Sequence, residues 1–128
     1  MLLITNNKKF IEIEKELLAK GIKVEFLDRD YMGVLQYGRD LIHSGYELLT
    51  HPLYGSVKPN ETIYRTIILK SGSELNFNSL SLIEDAIQTV EKFKKNKLTP
   101  DWTKRVKEDF RVIDYDLMSK TVSRIINE

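Results

Sequence analysis

The chain has 128 residues, 20 of them Lys or Arg and 19 Asp or Glu, for a net charge of +1; that balance gives no pull toward nucleic acid or an anionic membrane surface, and neither is expected as a partner. With no cysteine, disulfides, thiolate catalysis and Cys-ligated zinc or iron–sulfur centres are excluded. Hydrophobic residues at 41% and charged ones at 30% suit one soluble globular domain over residues 1–128, large enough to bury a core without staples.

The start, MLLITNNKKF, puts its lysines after a short apolar run. A secretory leader has the reverse order and a longer apolar core, and no apolar run nears the ~20 residues of a membrane span, so a cytoplasmic protein is expected. LLIT, Leu2 to Thr5, reads as a short buried strand. Phe10, Ile13, Leu17 and Leu18 follow at helical spacing, with Gly21 where a C-terminal cap belongs. Ile22, Val24 and Phe26 alternate with Lys23 and Glu25 in a second strand that ends in Asp28-Arg29-Asp30. Asp30 is a good N-cap for a helix whose apolar face is Val34, Leu35, Gly38, Leu41 and Ile42, closed by Gly45.

YELLT, Tyr46 to Thr50, and YRTIILK, Tyr64 to Lys70, read as the third and fourth strands. After a loop, Ser79 or Ser81 caps a helix with Ile83, Ala86, Ile87 and Val90 on one face, running out in the basic KFKKNK, which suits a helix C-terminus. Thr99-Pro100 predicts the start of a last helix, with Pro at the first helical position. Trp102, Val106, Phe110, Ile113, Leu117, Thr121 and Ile125 step by three or four through this C-terminal extension, 100–127. It forms either one helix or two with a break near Asp114. The apolar stripe from Trp102 to Ile126 is long for a domain of this size and suggests a homodimer.

The order β-α-β-α-β-β-α-α predicts an α/β fold: a single three-layer Rossmann-like domain with a mostly parallel four-stranded sheet, flanking helices and the C-terminal helical segment. The link between the third and fourth strands is too short for a helical crossover. Those two strands either pair antiparallel through a long loop, or the fourth forms an edge.

In such a sheet ligands collect beyond the carboxyl ends of the strands. Three tips meet that rule: Thr5-Asn6-Asn7, Asp28-Arg29-Asp30 and Thr50-His51. The last opens the stretch HPLYGSVKPNET, His51 to Thr62. Pro52 and Pro59 stiffen it, Gly55 permits close backbone approach, and Ser56 with Lys58 offers an anion cradle. The expected ligand-binding set is Asn6, His51, Gly55, Ser56, Lys58, Asn60 and Thr62. Gly, Pro, Ser and Asn are also what any surface loop uses. Catalysis would need His51 as a general base oriented by Asp28 or Asp30. Two histidines in the chain speak against a metal site, and no cofactor is expected. GVLQYGRD, from Gly33, has the glycine spacing of a phosphate-binding loop, but Arg39 and Asp40 stand where Lys and Ser/Thr are required. It reads as helix interior.

The segment RDLIHSGYELLTHPLYGSVKPNETIYRTIIL, Arg39 to Leu69, resembles the GrdX family, and LLITNN at the start fits as well. The LLTHPL-GS-KPNET core is its most specific part. Ile63 stands where the family pattern has a proline, and Tyr46 where it has a histidine. The resemblance implies a small accessory or regulatory protein encoded beside the glycine, sarcosine and betaine reductase genes of amino-acid-fermenting anaerobes. It carries no reaction onto His51 or Lys58. The expected partner is a small anionic metabolite or a glycine-reductase component, bound at the 51–62 loop; the alternative is a small hydrolase or transferase with His51 as general base.

Overall fold

A computed structural model of the chain describes residues 1–54, 59, 61–96 and 99–127. β1 (Leu2–Thr5) is buried at every position, as a strand covered on both faces must be. A 3-10 helix (Lys8–Ile13) and α1 (Glu14–Ala19) follow, then β2 (Lys23–Phe26). Asp30 caps α2 (Tyr31–His43), its Oδ1 accepting the Gly33 N–H at 2.8 Å. β3 is only Glu47–Leu48, and β4 is Thr66–Lys70. α3 (Phe77–Asn96) begins earlier than its serines suggest. Its first turn is capped by Asn76, whose Oδ1 accepts the Ser79 N–H at 2.8 Å.

The sheet order is β2-β1-β4-β3. Only β1 and β2 are parallel; β4 runs antiparallel to both β1 and β3. The sheet is therefore mixed, and the expected mostly parallel, Rossmann-like arrangement does not form. The reason lies in the 49–65 link. It holds no helix among its described residues, so the chain cannot cross over and returns antiparallel. β4 is no edge either: it enters between β1 and β3, and its first four residues are buried.

Alternation along the strands sends side chains to two cores. Leu2, Ile4, Ile67 and Leu69 pack on α2 and α3. Leu3, Val24 and Ile68 pack on the 3-10 helix, α1 and α4 (Lys104–Asn127). α4 is one unbroken helix. It starts after Thr103, whose hydroxyl accepts the Val106 N–H, and not at Pro100. Its buried face is Asp114, Met118, Thr121 and Val122, while Ile113 stays exposed. The helix is thus rotated by about one residue, roughly 100°, from the Phe110–Ile113–Leu117 stripe.

Gly38 sits mid-helix in α2, where an added Cβ would lie 3.5–3.7 Å from the δ-methyls of Ile4, Ile67 and Ile83, an ordinary contact distance. Gly38→Ala should therefore raise urea-unfolding stability by about 0.5–1 kcal/mol, the difference in helix propensity. Gly45 has φ +105°, and a Cβ there would meet the Gly72 carbonyl oxygen at 2.9 Å. Gly45→Ala should lower stability by about 1–3 kcal/mol in the same assay.

Candidate functional site

Because β3 and β1 both run opposite to β4, the carboxyl ends of β1, β2 and β3 share one edge of the sheet with the start of β4. The 51–62 loop leaves and re-enters the fold there. At the centre of this edge stands a buried ion pair between Arg65, just before β4, and Asp114 of α4, with Nη2 and Oδ1 3.8 Å apart. Asp114 Oδ2 accepts from Thr66 Oγ1 at 2.8 Å and from Asn7 Nδ2 at 3.0 Å. Thr66 Oγ1 lies 2.7 Å from Thr5 Oγ1, which accepts the Asn7 N–H. Arg65 Nη1 donates to the Tyr31 hydroxyl at 3.2 Å, with the guanidinium over the ring at 5.6 Å, and Nη2 also donates to the Tyr54 carbonyl. Burial pushes the Asp114 carboxyl above its usual range, against the pull of Arg65, Asn7 and Thr66. Burial likewise raises the Tyr31 phenol, with Arg65 opposing.

The predicted site residues divide around this pair. Asn6 acts as a clamp: Oδ1 accepts the Arg65 N–H at 2.8 Å, and Nδ2 donates to the carbonyls of Ile63 and Arg29. Its amide has no donor to spare. Thr62 is buried, accepts the Tyr64 N–H at 3.2 Å, and lines a cavity of about 370 Å³ with Tyr31, Lys94 and Lys107. His51 lines a separate cavity of about 270 Å³ with Thr50, Tyr54, Thr121 and Arg124. Gly55, Ser56, Lys58 and Asn60 lie outside the described residues.

Both described ends of the loop are tied down. At one end His51 Nδ1 accepts the Leu53 N–H at 3.1 Å, and Tyr54 is held through its carbonyl by Arg65 and through its hydroxyl by Arg124 Nη2 at 3.1 Å. That last bond draws the Tyr54 phenol below its ordinary range. At the other end Trp102 Nε1 donates to the Glu61 carbonyl at 2.6 Å.

The structure does not bring His51 to either aspartate. β2 and β3 are the two outer strands, three strand spacings or about 14 Å apart. Asp30 caps α2 and faces Lys94 at 3.9 Å, and Asp28 is exposed. Among the described residues no group of three or more His, Asp or Glu side chains could hold a metal ion, and no helix is long and apolar enough to cross a membrane.

The residues that sequence reasoning passed over are Arg65, Asp114, Arg124, Tyr31 and Tyr54. A signal existed for two of them. Arg65 directly precedes an apolar strand, and Asp114 falls in helical register with Met118, Thr121 and Ile125.

A family model described as GrdX-like protein matches residues 2–123. The chain belongs to the GrdX-like family. The match runs from β1 through most of α4 and takes in Arg65 and Asp114. Comparison with curated proteins and with solved structures returns no match.

Removing Asp114 leaves Arg65 buried without its anion, and Asp114→Ala should cost about 3–5 kcal/mol in urea unfolding. The pH dependence has a definite sign. A carboxyl raised in the folded state contributes stability that is fully present below its unfolded value, 3.8, and is lost as pH rises through the folded value. Wild-type stability minus that of Asp114→Asn should therefore fall as pH is raised from below 3.8. Urea midpoints of both proteins across the acid range check this. A difference that grows with pH would mean that the attraction of Arg65 outweighs burial.

Proposed function

We propose that the chain is a non-enzymatic accessory protein of the glycine, sarcosine and betaine reductase system, binding a small anionic metabolite at the His51 end of the 51–62 loop. Family membership supports the accessory role. One observation carries the binding: the cavity at His51 is walled by Thr50, His51, Tyr54, Thr121 and Arg124, with apolar Leu49 and Ile125 and no carboxylate among the described residues. Such a wall offers hydrogen-bond donors and positive charge, which an anion satisfies. Lys58 and Ser56, farther along the loop, are the expected additional partners.

The state of His51 supports binding over hydrolysis or group transfer. Its Nδ1 accepts a backbone N–H, so the neutral ring carries its proton on Nε2 and presents a donor. A general base needs the opposite arrangement and a group to orient it. Docking of a reductase component on the same loop is the other reading of the accessory role. A homodimer through α4 would have to use outward residues such as Val112 and Ile113, since the Asp114–Val122 face covers the sheet.

A thermal-shift panel tests the metabolite reading: glycine, sarcosine, betaine, acetyl phosphate, phosphate and nucleotides, on wild type and Lys58→Ala. A ligand at a hundredfold over its dissociation constant adds about 2.7 kcal/mol, or roughly 10 °C for a chain of this size. The expected result is a shift with an anionic compound that shrinks in the variant. No shift with any compound would turn the role toward a protein partner.

A further inference from the structure

The His51 cavity has a receptor group that lies outside the loop. Arg124, in the last turn of α4, stands one residue beyond the segment that the family model matches, so family membership assigns it nothing. Its Nη2 donates to the Tyr54 hydroxyl at 3.1 Å and to Thr121 Oγ1 at 3.3 Å. Both partners are neutral oxygens, and Arg124 meets no carboxylate among the described residues. This sets it apart from the other charged residues of α4 whose partners are described: Lys107 faces Asp101, Arg111 faces Glu108 and Lys120 faces Asp116. Nη1 and Nε of Arg124 donate to nothing among the described residues, and a guanidinium carries five N–H donors in a fixed fork.

Other polar groups line the same cavity. Tyr54 places its hydroxyl on Arg124 and beside Thr121. Thr50 Oγ1 accepts the Ile68 N–H at 3.1 Å, which leaves its own proton to give. His51 adds Nε2–H. The remaining walls, Leu49 and Ile125, are apolar. At about 270 Å³ the space is just under the range of pockets for drug-sized ligands.

We infer that Arg124 is the anion-receiving residue of this chain, and that the ligand is a small organic oxyanion with a short apolar body. With both Nη2 hydrogens engaged, the head of a carboxylate takes a single charge-assisted bond from Nη1 or Nε, and His51 Nε2–H donates to the same head. The carbon chain lies against Leu49 and Ile125. This rests on the metabolite reading above and gives that ligand its chemistry.

The test is an NMR titration of the full chain with acetate, butyrate, acetyl phosphate and inorganic phosphate, following the backbone amides of residues 50–54 and 121–125. Wild type, Arg124→Gln, Arg124→Lys and Lys58→Ala are compared. Butyrate should bind more tightly than acetate, and inorganic phosphate, which lacks the apolar body, more weakly than butyrate. Arg124→Gln should weaken butyrate by about tenfold or more, and Arg124→Lys should restore part of it, since the charge survives while the ammonium cannot hold Tyr54 and Thr121 and face the ligand in the guanidinium's fixed geometry. Arg124 is exposed, so both variants should keep the wild-type unfolding midpoint. Butyrate binding that survives in folded Arg124→Gln but is lost in Lys58→Ala overturns this inference and leaves the loop reading standing. Loss in Arg124→Gln alone supports it and removes Lys58 from the site. Phosphate binding as tightly as butyrate overturns the organic-oxyanion assignment, and the absence of any titration in wild type overturns both readings.

Discussion

The fold turns on one costly contact, the buried pair of Arg65 and Asp114. Taking two such charges out of water costs several kcal/mol each, and their mutual attraction repays this only when the remaining donors and acceptors are also satisfied. Here most of them are. Thr66 and Asn7 serve the carboxylate, and Tyr31 and the Tyr54 carbonyl serve the guanidinium. Of the pair's buried polar atoms, Arg65 Nε has no partner among the described residues. The partners come from the turn after β1, from α2, from β4 and from the 51–62 loop. Apolar packing between α4 and the sheet is nondirectional and would tolerate a slip of the helix by a turn. A buried carboxylate would not, because a slip would strand both charges. The pair thus sets the register of α4, and with it the placement of Arg124, which lies ten residues or nearly three helical turns beyond Asp114.

Local signals in the sequence were read well where a single residue decides. Asp30 caps α2, and Gly45 takes the positive φ that ends it. Leu2–Thr5 and the apolar run at Ile67–Leu69 form strands because nothing else buries such short runs. Strand direction is different. It is decided by whether the link can cross the sheet: the short 49–65 segment already allowed the antiparallel β3–β4 pair that forms, but no local pattern said that β4 would also enter beside β1. The α4 register failed for a physical reason too. Periodicity counts apolar side chains, and the residue that centres the buried face is an aspartate. Its burial becomes intelligible only beside Arg65, which is distant in sequence and also charged. Thr99-Pro100 misled in another way: Pro100 closes a turn, its carbonyl accepting the Trp102 N–H, and so frees Trp102 to hold Glu61.

The candidate site was legible as a place more than as a set of residues. The three strand tips do share an edge, because a strand antiparallel to two others leaves those two pointing the same way. Within that edge the polar residues were assumed to face a ligand. Asn6 instead spends its whole amide on the backbone, and Thr62 belongs to a different cavity from His51. Arg124 was invisible for the opposite reason. An arginine near a helix end is usually a solvated charge that suits the helix dipole, and only the approach of Tyr54 makes it part of a wall.

Tyr54 joins the two halves of this picture. Its carbonyl is fixed by the buried Arg65, and its hydroxyl sits on the exposed Arg124. The structural pair therefore holds the residue whose side chain forms the cavity wall. An anion received at Arg124, as inferred above, would meet a tyrosine already oriented and a histidine already turned by the Leu53 amide. It does not have to order them. Ordering a rotamer-rich side chain on binding costs about 0.5–1.5 kcal/mol, and a cavity this small offers few contacts from which to recover it. The cost of burying a charge pair at the sheet edge is met in folding, and the same pair holds the Tyr54 carbonyl beside the His51 cavity.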